Sequence, residues 1–302
     1  MPVTVIYNPN ADLGHGMTHL PAVRDALRSL DKNAQIVLTE GPGHAQQLVR
    51  EAIMNGADMV VAAGGDGTVN EVVNGLLTAP GERPLLGVIP IGTGNDFAYA
   101  MGIASDVPTA VQNLYRQKTR KADVALMEDD RGGLRYFENN LGVGFDANVV
   151  IRTEEITQVH GFLKYLLGVL TTLALDFRPI NLELRFDDEE VEQALLFISL
   201  GIGQRHGGGF LLTPFASHLD DKIDSCAVTM LSRLRALTLL NSAMKGTHVN
   251  VSQVTMRQNQ RVEITSAEAM PIHIDGEIYA RPQDDIHHLT VTSLPEALDV
   301  LV

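Results

Sequence analysis

A doubly wound, mostly parallel α/β domain followed by a mainly antiparallel β-sandwich domain is the architecture this sequence predicts. Three observations carry that reading. Up to about residue 125, short β-branched runs alternate with helical periodicity, the βαβα order of a parallel sheet with helices on both faces. After about residue 127 the period becomes two, and Gly and Asp clusters punctuate the runs. A length of 302 residues with 45% apolar composition leaves room for two cores.

The strand-like runs of the first domain are Val3–Tyr7, Gln35–Thr39, Met59–Ala63, Leu86–Ile91 and Asp123–Met127. Helical spacing between them is set by Leu20, Val23, Leu27 and Leu30, then by Ala45, Leu48, Val49 and Ala52. Val69, Val72, Val73 and Leu76 make a third set, and Ala110, Val111 and Leu114 a fourth. Gly56 reads as a helix stop, and Asp106 with Pro108 as a helix start. This is a Rossmann-like layout over residues 1–125. In the second domain, 126–293, Leu182, Leu184 and Phe186 alternate with Glu183 and Arg185. Val262 and Ile264 alternate with Arg261 and Glu263, and Leu289 and Val291 with Thr290 and Thr292. Two helices, about 158–175 and about 232–245, interrupt the β pattern. The acidic run Asp187–Glu190 reads as a solvated hairpin tip.

Composition excludes several functions. A formal net charge of −14 argues against broad nucleic-acid binding and against strong general attraction to anionic lipid, while leaving room for a local basic patch. The single cysteine, Cys226, allows no disulfide within the chain, which suits a reducing, cytoplasmic setting. The start, MPVTVIYNPN, has no charged n-region or cleavage site, so no secretory signal is expected. In the most apolar stretch only 11 uncharged residues separate Lys164 from Asp176. A membrane span needs about 20. If the protein meets lipid, it does so from one side of the bilayer, the inner face in a cytoplasmic setting. Ten histidines show no metal spacing, and no GxSxG elbow is present.

The strongest local signal is Gly64-Gly65-Asp66-Gly67-Thr68-Val69-Asn70-Glu71, between an apolar strand and an amphipathic helix. Glycines let backbone N–H groups approach an anion, and a helix N-terminus adds a positive dipole end. A tight βα turn with Asp66 or Thr68 as helix cap would use the same residues. A second turn, Gly92-Thr93-Gly94-Asn95-Asp96, ends the next strand. Ligands of doubly wound sheets bind at the carboxyl ends of strands, so the two turns would share a crevice. Asn8-Pro9 after the first strand and Thr39 after the second would join its rim.

GGDGTVNEVVNGL and PIGTGNDFA resemble the diacylglycerol-kinase catalytic domain superfamily, which includes diacylglycerol, sphingosine and ceramide kinases and bacterial soluble lipid kinases. GGDGT is shared with NAD kinases, whereas GTGNDFA is similar to the lipid-kinase branch. The Asn8-Pro9 loop, which contains Asp12, departs from the usual NPxSG. Asn139–Ala147, with Gly142, Gly144 and Asp146, resembles the family's N-x-x-G-x-G-x-D-A segment. Pro214 to Asp224 is similar to P-x-A-x-x-x-D-G-x-L-D, with Asp221 in place of Gly, and Asp275-Gly276-Glu277 to the family's D-G-E.

The resemblance implies an ATP- and Mg²⁺-dependent kinase acting on a lipid hydroxyl, diacylglycerol-like, in lipid metabolism and phospholipid biosynthesis. It implies a lipid partner at a membrane surface or micelle, and a C-terminal segment, about 294–302, returning to the first domain. It leaves a homodimer open and gives no nucleic-acid partner. It places nucleotide contacts at Asn8, Pro9, Thr39, Gly64, Gly65, Asp66, Gly67, Thr68, Asn70, Glu71, Thr93, Gly94, Asn95 and Asp96. It implies Mg²⁺ at Asp220 with the carbonyls of Ser217 and Lys222. Asp66, Asp96 and Asp123, by their position alone at the ends of strand-like runs, are candidates to organise Mg²⁺ through water. Glu277 would take the hydroxyl proton, with Asp275 as alternative or partner; the sequence does not separate them. The Phe162–Leu173 helix would wall an acyl site, touch the bilayer, or simply cover the β domain. An NAD or sugar kinase using GGDGT, and a catalytically silent nucleotide-binding regulator, are the competing readings.

Overall fold

The computed structural model describes residues 2–30, 33–156, 159, 161–187 and 189–302. The chain divides into two compact units, Met1–Val124 with Pro295–Val302, and Ala125–Leu294.

In the first unit the described elements are β1 (Val3–Tyr7), α1 (Ala11–Gly14), α2 (Gly16–Leu30), β2 (Gln35–Leu38), α3 (His44–Met54), β3 (Met59–Gly64), α4 (Asp66–Thr78), β4 (Leu85–Pro90), α5 (Asp96–Met101), α6 (Val107–Arg116) and the start of β5 (Thr119–Asp129). β2, β1, β3 and β4 are neighbours in that order and all parallel. The returning C-terminal segment adds a fifth parallel position beside β4, with Val300 opposite Leu86. With β15 (His288–Leu301) as that returning strand, the order is β2-β1-β3-β4-β15, whose switch point lies between β1 and β3. Val5, Tyr7, Val61 and Ile89 pack one face of the sheet against Leu20, Val23, Val111 and Leu114 of α2 and α6. α3 and α4 pack on each other, with α3 against β1 and α4 against β3.

Local chemistry explains the helix ends. Asp106 accepts the Thr109 N–H at 2.9 Å, with proline in the first turn, and starts α6. Gly56, at φ +76°, follows α3 and donates to the Ile53 carbonyl. α5 was not expected, because six residues are too few to show a period.

The second unit contains the rest of β5, then β6 (Leu134–Phe137), β7 (Asn140–Gly144), α7 (Phe145–Glu155), α8 (Gly161–Leu175), β8 (Ile180–Phe186), β9 (Glu189–Gly201), β10 (Ile223–Thr229), α9 (Arg233–Ala243), β11 (Val254–Asn259), β12 (Arg261–Thr265), β13 (Ile272–Ile274), β14 (Glu277–Ala280) and β15 (His288–Leu301), which runs on into the first unit. The pairs β5–β6, β7–β9, β7–β13, β8–β9, β8–β12, β9–β10, β10–β11, β12–β15 and β13–β14 are all antiparallel. β8 shows why the period-2 signal was legible: Leu182, Leu184 and Phe186 are buried, Glu183 and Arg185 exposed. Two apolar clusters fill the unit. One joins Leu182, Leu184, Val262 and Ile264 to Leu289 and Val291. The other sets Phe197, Cys226 and Val228 of the sheet against Tyr165 of α8 and Leu239 and Ala243 of α9.

The helices expected over 158–175 and 232–245 are α8 and α9; residues 158 and 160 lie outside the described residues. α7 was not expected, its apolar positions being too irregular to declare a face. Of the acidic run, Asp188 lies outside the described residues. Asp187, at φ +39°, accepts the Gln260 and Arg261 N–H groups and so ties two hairpins together. No helix among the described residues is long and apolar enough to cross a membrane.

Candidate active site

The first unit builds the nucleotide turns on each other. Asp66 Oδ1 accepts the backbone N–H groups of Asp96 at 2.7 Å and Phe97 at 3.3 Å, so the first turn caps the helix that begins in the second. The residue capping α4 itself is Gly65, with no side-chain cap, so neither Asp66 nor Thr68 has that task. Gly65 and Gly92 lie backbone to backbone. A Cβ on Gly92 would stand 2.2 Å from the Gly65 Cα. Asn95, at φ +52°, accepts the Gly92 N–H at 3.0 Å and donates back to the Gly92 carbonyl at 2.7 Å. Gly92→Ala should therefore prise the turns apart at a cost of about 1–3 kcal/mol, read as a lower melting temperature.

The other predicted nucleotide residues divide. Asn8 Nδ2 donates to Thr68 Oγ1 at 2.9 Å, joining the loop after β1 to the turn after β3. Pro9 follows it, half-buried; Thr93 is exposed; Gly64 ends β3, Gly67 lies in the first turn of α4, and Gly94 sits in the turn before α5. Thr39 follows β2, buried, and donates its N–H to the Tyr7 carbonyl. Asn70 is buried inside α4, where Asn74 donates to it at 3.2 Å. Glu71 accepts the N–H groups of Gly43 at 2.7 Å and Ala45 at 2.9 Å, so its carboxylate caps α3. Glu71→Ala should cost about 1–2 kcal/mol of stability in urea unfolding.

Asp123 corrects an expectation. It lies inside β5, not at a strand end, because the strand begins at Thr119. Arg120 and Lys121, which read as loop, belong to the strand. Buried Asp123 accepts the Glu296 N–H at 2.8 Å and so fastens the returning C-terminal segment.

In the second unit Asp275 and Gly276, at φ +48° and +78°, form the two-residue turn between β13 and β14. The Asp275 carboxylate is buried. It accepts backbone N–H groups from Glu138, Asn139 and Asn140 at 3.3, 3.1 and 2.7 Å. Burial raises its pKa despite those three bonds. Glu277 opens β14 with an exposed side chain, 3.5 Å from the Arg135 guanidinium. Asp220 Oδ1 accepts the Lys222 N–H at 3.1 Å, and Ser217 Oγ the Leu219 N–H at 3.2 Å, closing the loop before β10. Asp224 beyond it is pushed up to about 6, by burial first and by the charge of Asp220, against a hydrogen bond from Gln258. No group of three or more His, Cys, Asp or Glu gathers as a metal site among the described residues.

Sequence reasoning missed a buried pair. Asp146 Oδ2 lies 3.1 Å from His273 Nε2, both residues buried. Burial alone would raise Asp146, but His273, His206 and Ser199 outweigh it and hold the carboxyl below its usual value. His206, lowered to about 3 by burial, is neutral and meets Thr213 Oγ1 at 3.0 Å. Asp146 also lines a narrow apolar cavity. Phe145 and Val149 of α7, Val169 and Leu173 of α8, and Leu237 and Leu240 of α9 line it too.

Comparison with known proteins decides the family. The diacylglycerol kinase catalytic domain model matches residues 2–127, and the YegS C-terminal NAD kinase beta sandwich-like domain matches residues 139–302. A diacylglycerol kinase of Mycobacterium tuberculosis is 30% identical over 99% of this chain and 94% of its own. The chain belongs to the diacylglycerol kinase family. It is therefore a phosphotransferase with an alcohol acceptor. A protein of Chromohalobacter salexigens described as a probable YegS-like lipid kinase is 33% identical over 85% of this chain and 83% of its own. A crystal structure from Bacillus anthracis, described as a candidate diacylglycerol kinase, has the same fold, with a TM-score of 0.79 over 99% of this chain and 96% of that one at 22% identity.

Proposed function

We propose that this kinase transfers the γ-phosphoryl group of ATP to the hydroxyl of a lipid, with a diacylglycerol-like acceptor favoured. The observation that carries the acceptor is the apolar cavity among α7, α8 and α9. A space walled by aliphatic and aromatic side chains suits acyl chains and offers little to a sugar or a dinucleotide. The names of the M. tuberculosis and C. salexigens relatives agree with a lipid acceptor.

The residues fit the groups the reaction needs. The 13-residue helix α4 starts at Gly65 without a side-chain cap, so its first amides and its dipole suit a nucleotide phosphate. Gly64–Thr68, Thr93–Asp96, Asn8 and Thr39 would hold ATP. Asp220 and the carbonyls of Ser217 and Lys222 form an oxygen donor set of the kind Mg²⁺ accepts. When bound, Mg²⁺ neutralises phosphate charge. Asp66 and Asp96 shape the turns, and Asp123 holds the C-terminal segment. Glu277 takes the hydroxyl proton, while Asp275 fixes the turn that carries it. The setting is the cytoplasm, at the inner face of the membrane.

Incubation with γ-labelled ATP, Mg²⁺ and a panel of micellar lipids, followed by thin-layer separation, should label one lipid class. Label confined to a soluble acceptor would sink the lipid reading. ATP binding by calorimetry without any transfer would mark a silent regulator.

A further inference from the structure

α8 carries leucines toward solvent as well as toward the core. Leu163 is 53% and Leu170 41% exposed. Leu166 and Leu167 lie half-buried between them, so these positions make one stripe down the outer face. α9 and the residue after it repeat the pattern. Leu234 is 77%, Leu237 40% and Met244 42% exposed, while Leu239 and Ala243 point inward and are buried. The helices adjoin: Arg233 Nε donates to the Leu173 carbonyl at 2.9 Å, and both helices wall the apolar cavity. Leu237 is exposed and also lines that cavity, so it stands at the rim.

Charge singles out the same surface. The chain has a net charge of −14, yet residues 161–175 and 230–249 contain no Asp or Glu. They contain Lys164, Arg233, Arg235 and Lys245. A solvated helix face in so acidic a protein would carry carboxylates and polar groups. An apolar face on two segments that carry cations and no acids complements an anionic lipid surface.

The geometry points to the outer faces of α8 and α9 as a docking surface for an anionic phospholipid bilayer, with Leu234 and Met244 entering the headgroup boundary and Arg235, Lys164 and Lys245 meeting lipid phosphates. This rests on the lipid-acceptor reading and deepens it. A lipid leaving such a surface at Leu237 meets the cavity directly.

The full chain should sediment with vesicles of phosphatidylcholine mixed with phosphatidylglycerol, and far less with phosphatidylcholine alone. Leu234→Glu with Met244→Glu should weaken that binding by about 30-fold, and Arg235→Ala by about five-fold. Both side chains are exposed, so melting temperature and turnover of a water-dispersed short-chain acceptor should stay unchanged. Equal binding by the double variant and the parent would overturn the proposal, as would a parent that ignores both vesicles. So would a parent dimer, seen by ultracentrifugation, that the double variant dissolves while vesicles go unbound; the face would then belong to a second copy. Vesicle binding without phosphorylation of any lipid would leave the docking surface standing and remove the lipid-acceptor reading. Lipid phosphorylation in micelles with no vesicle binding would do the reverse.

Discussion

Glu277→Gln is expected to lower kcat by about a thousand-fold, within the range for loss of a general base, and to leave the melting temperature unchanged. The Glu277 side chain is exposed, and the Arg135 guanidinium lies 3.5 Å from it. An exposed ion pair of that length is worth little to stability. Glu277→Gln is nearly isosteric, so it removes basicity and little else. Asp275→Asn should behave differently. Its carboxylate gathers three consecutive backbone N–H groups at the entrance to β7. An amide keeps one acceptor and turns a donor toward other donors, at about 1–3 kcal/mol. Activity and melting temperature should fall together, because the turn that carries Glu277 is loosened. Steady-state kinetics and thermal unfolding on both variants separate the roles: a stable, inactive Glu277→Gln against a destabilised Asp275→Asn. If Glu277→Gln keeps near-normal kcat, the assignment of the base to Glu277 is wrong.

This division shows what the sequence made legible. Asp-Gly is a strong hairpin-turn signal in any sequence, and Asp275-Gly276 forms such a turn, with both residues at positive φ. The alternation of β1 to β4 with α2, α3 and α4 was readable for the same reason, since each element repeats its own period in consecutive residues. Caps were readable when their partner lay within a turn, as with Asp106 and Thr109. What the sequence did not show was the partner of a side chain when that partner is remote. Glu71 sits in the GGDGT segment but caps α3, 26 and 28 residues upstream. Asp66 reaches 30 residues forward to Asp96. Asp123 meets Glu296 across 173 residues. A motif records that these residues are needed, and the fold decides whether the need is for a ligand or for another part of the chain. The glycines of the two turns are an instance of both. They suit an anion, and they are also required by the contact between Gly65 and Gly92.

His273→Ala is expected to be the most destabilising single change in the second unit, at about 3–5 kcal/mol, because it strands a buried carboxylate. Asp146 and His273 lie 127 residues apart in sequence and 3.1 Å apart in space. Gly142 exists to let them meet: a Cβ there would stand 2.3 Å from His273 Nε2 and 2.4 Å from Asp146 Oδ2. Gly142→Ala should therefore approach the cost of His273→Ala, although alanine in an exposed strand would cost almost nothing. The sign of the pH dependence follows from Asp146, whose carboxyl is held below its usual value. A depressed carboxyl stabilises the fold above the unfolded pKa of about 4, and that stability is lost as the pH falls through the folded value. Urea unfolding of the parent should weaken on acidification below about pH 4, and His273→Ala should lose that part of the slope. Adding Asp146→Asn to His273→Ala should recover much of the loss, since it removes the stranded charge. If the double variant is no more stable than His273→Ala, the cost comes from the imidazole's packing rather than from the stranded carboxylate. The distinction matters for substrate binding as well as for folding. Asp146 lies at the wall of the apolar cavity among α7, α8 and α9. With His273 in place its carboxylate has a polar partner at 3.1 Å inside the protein, and the cavity can receive an apolar chain without an unpaired carboxylate facing it.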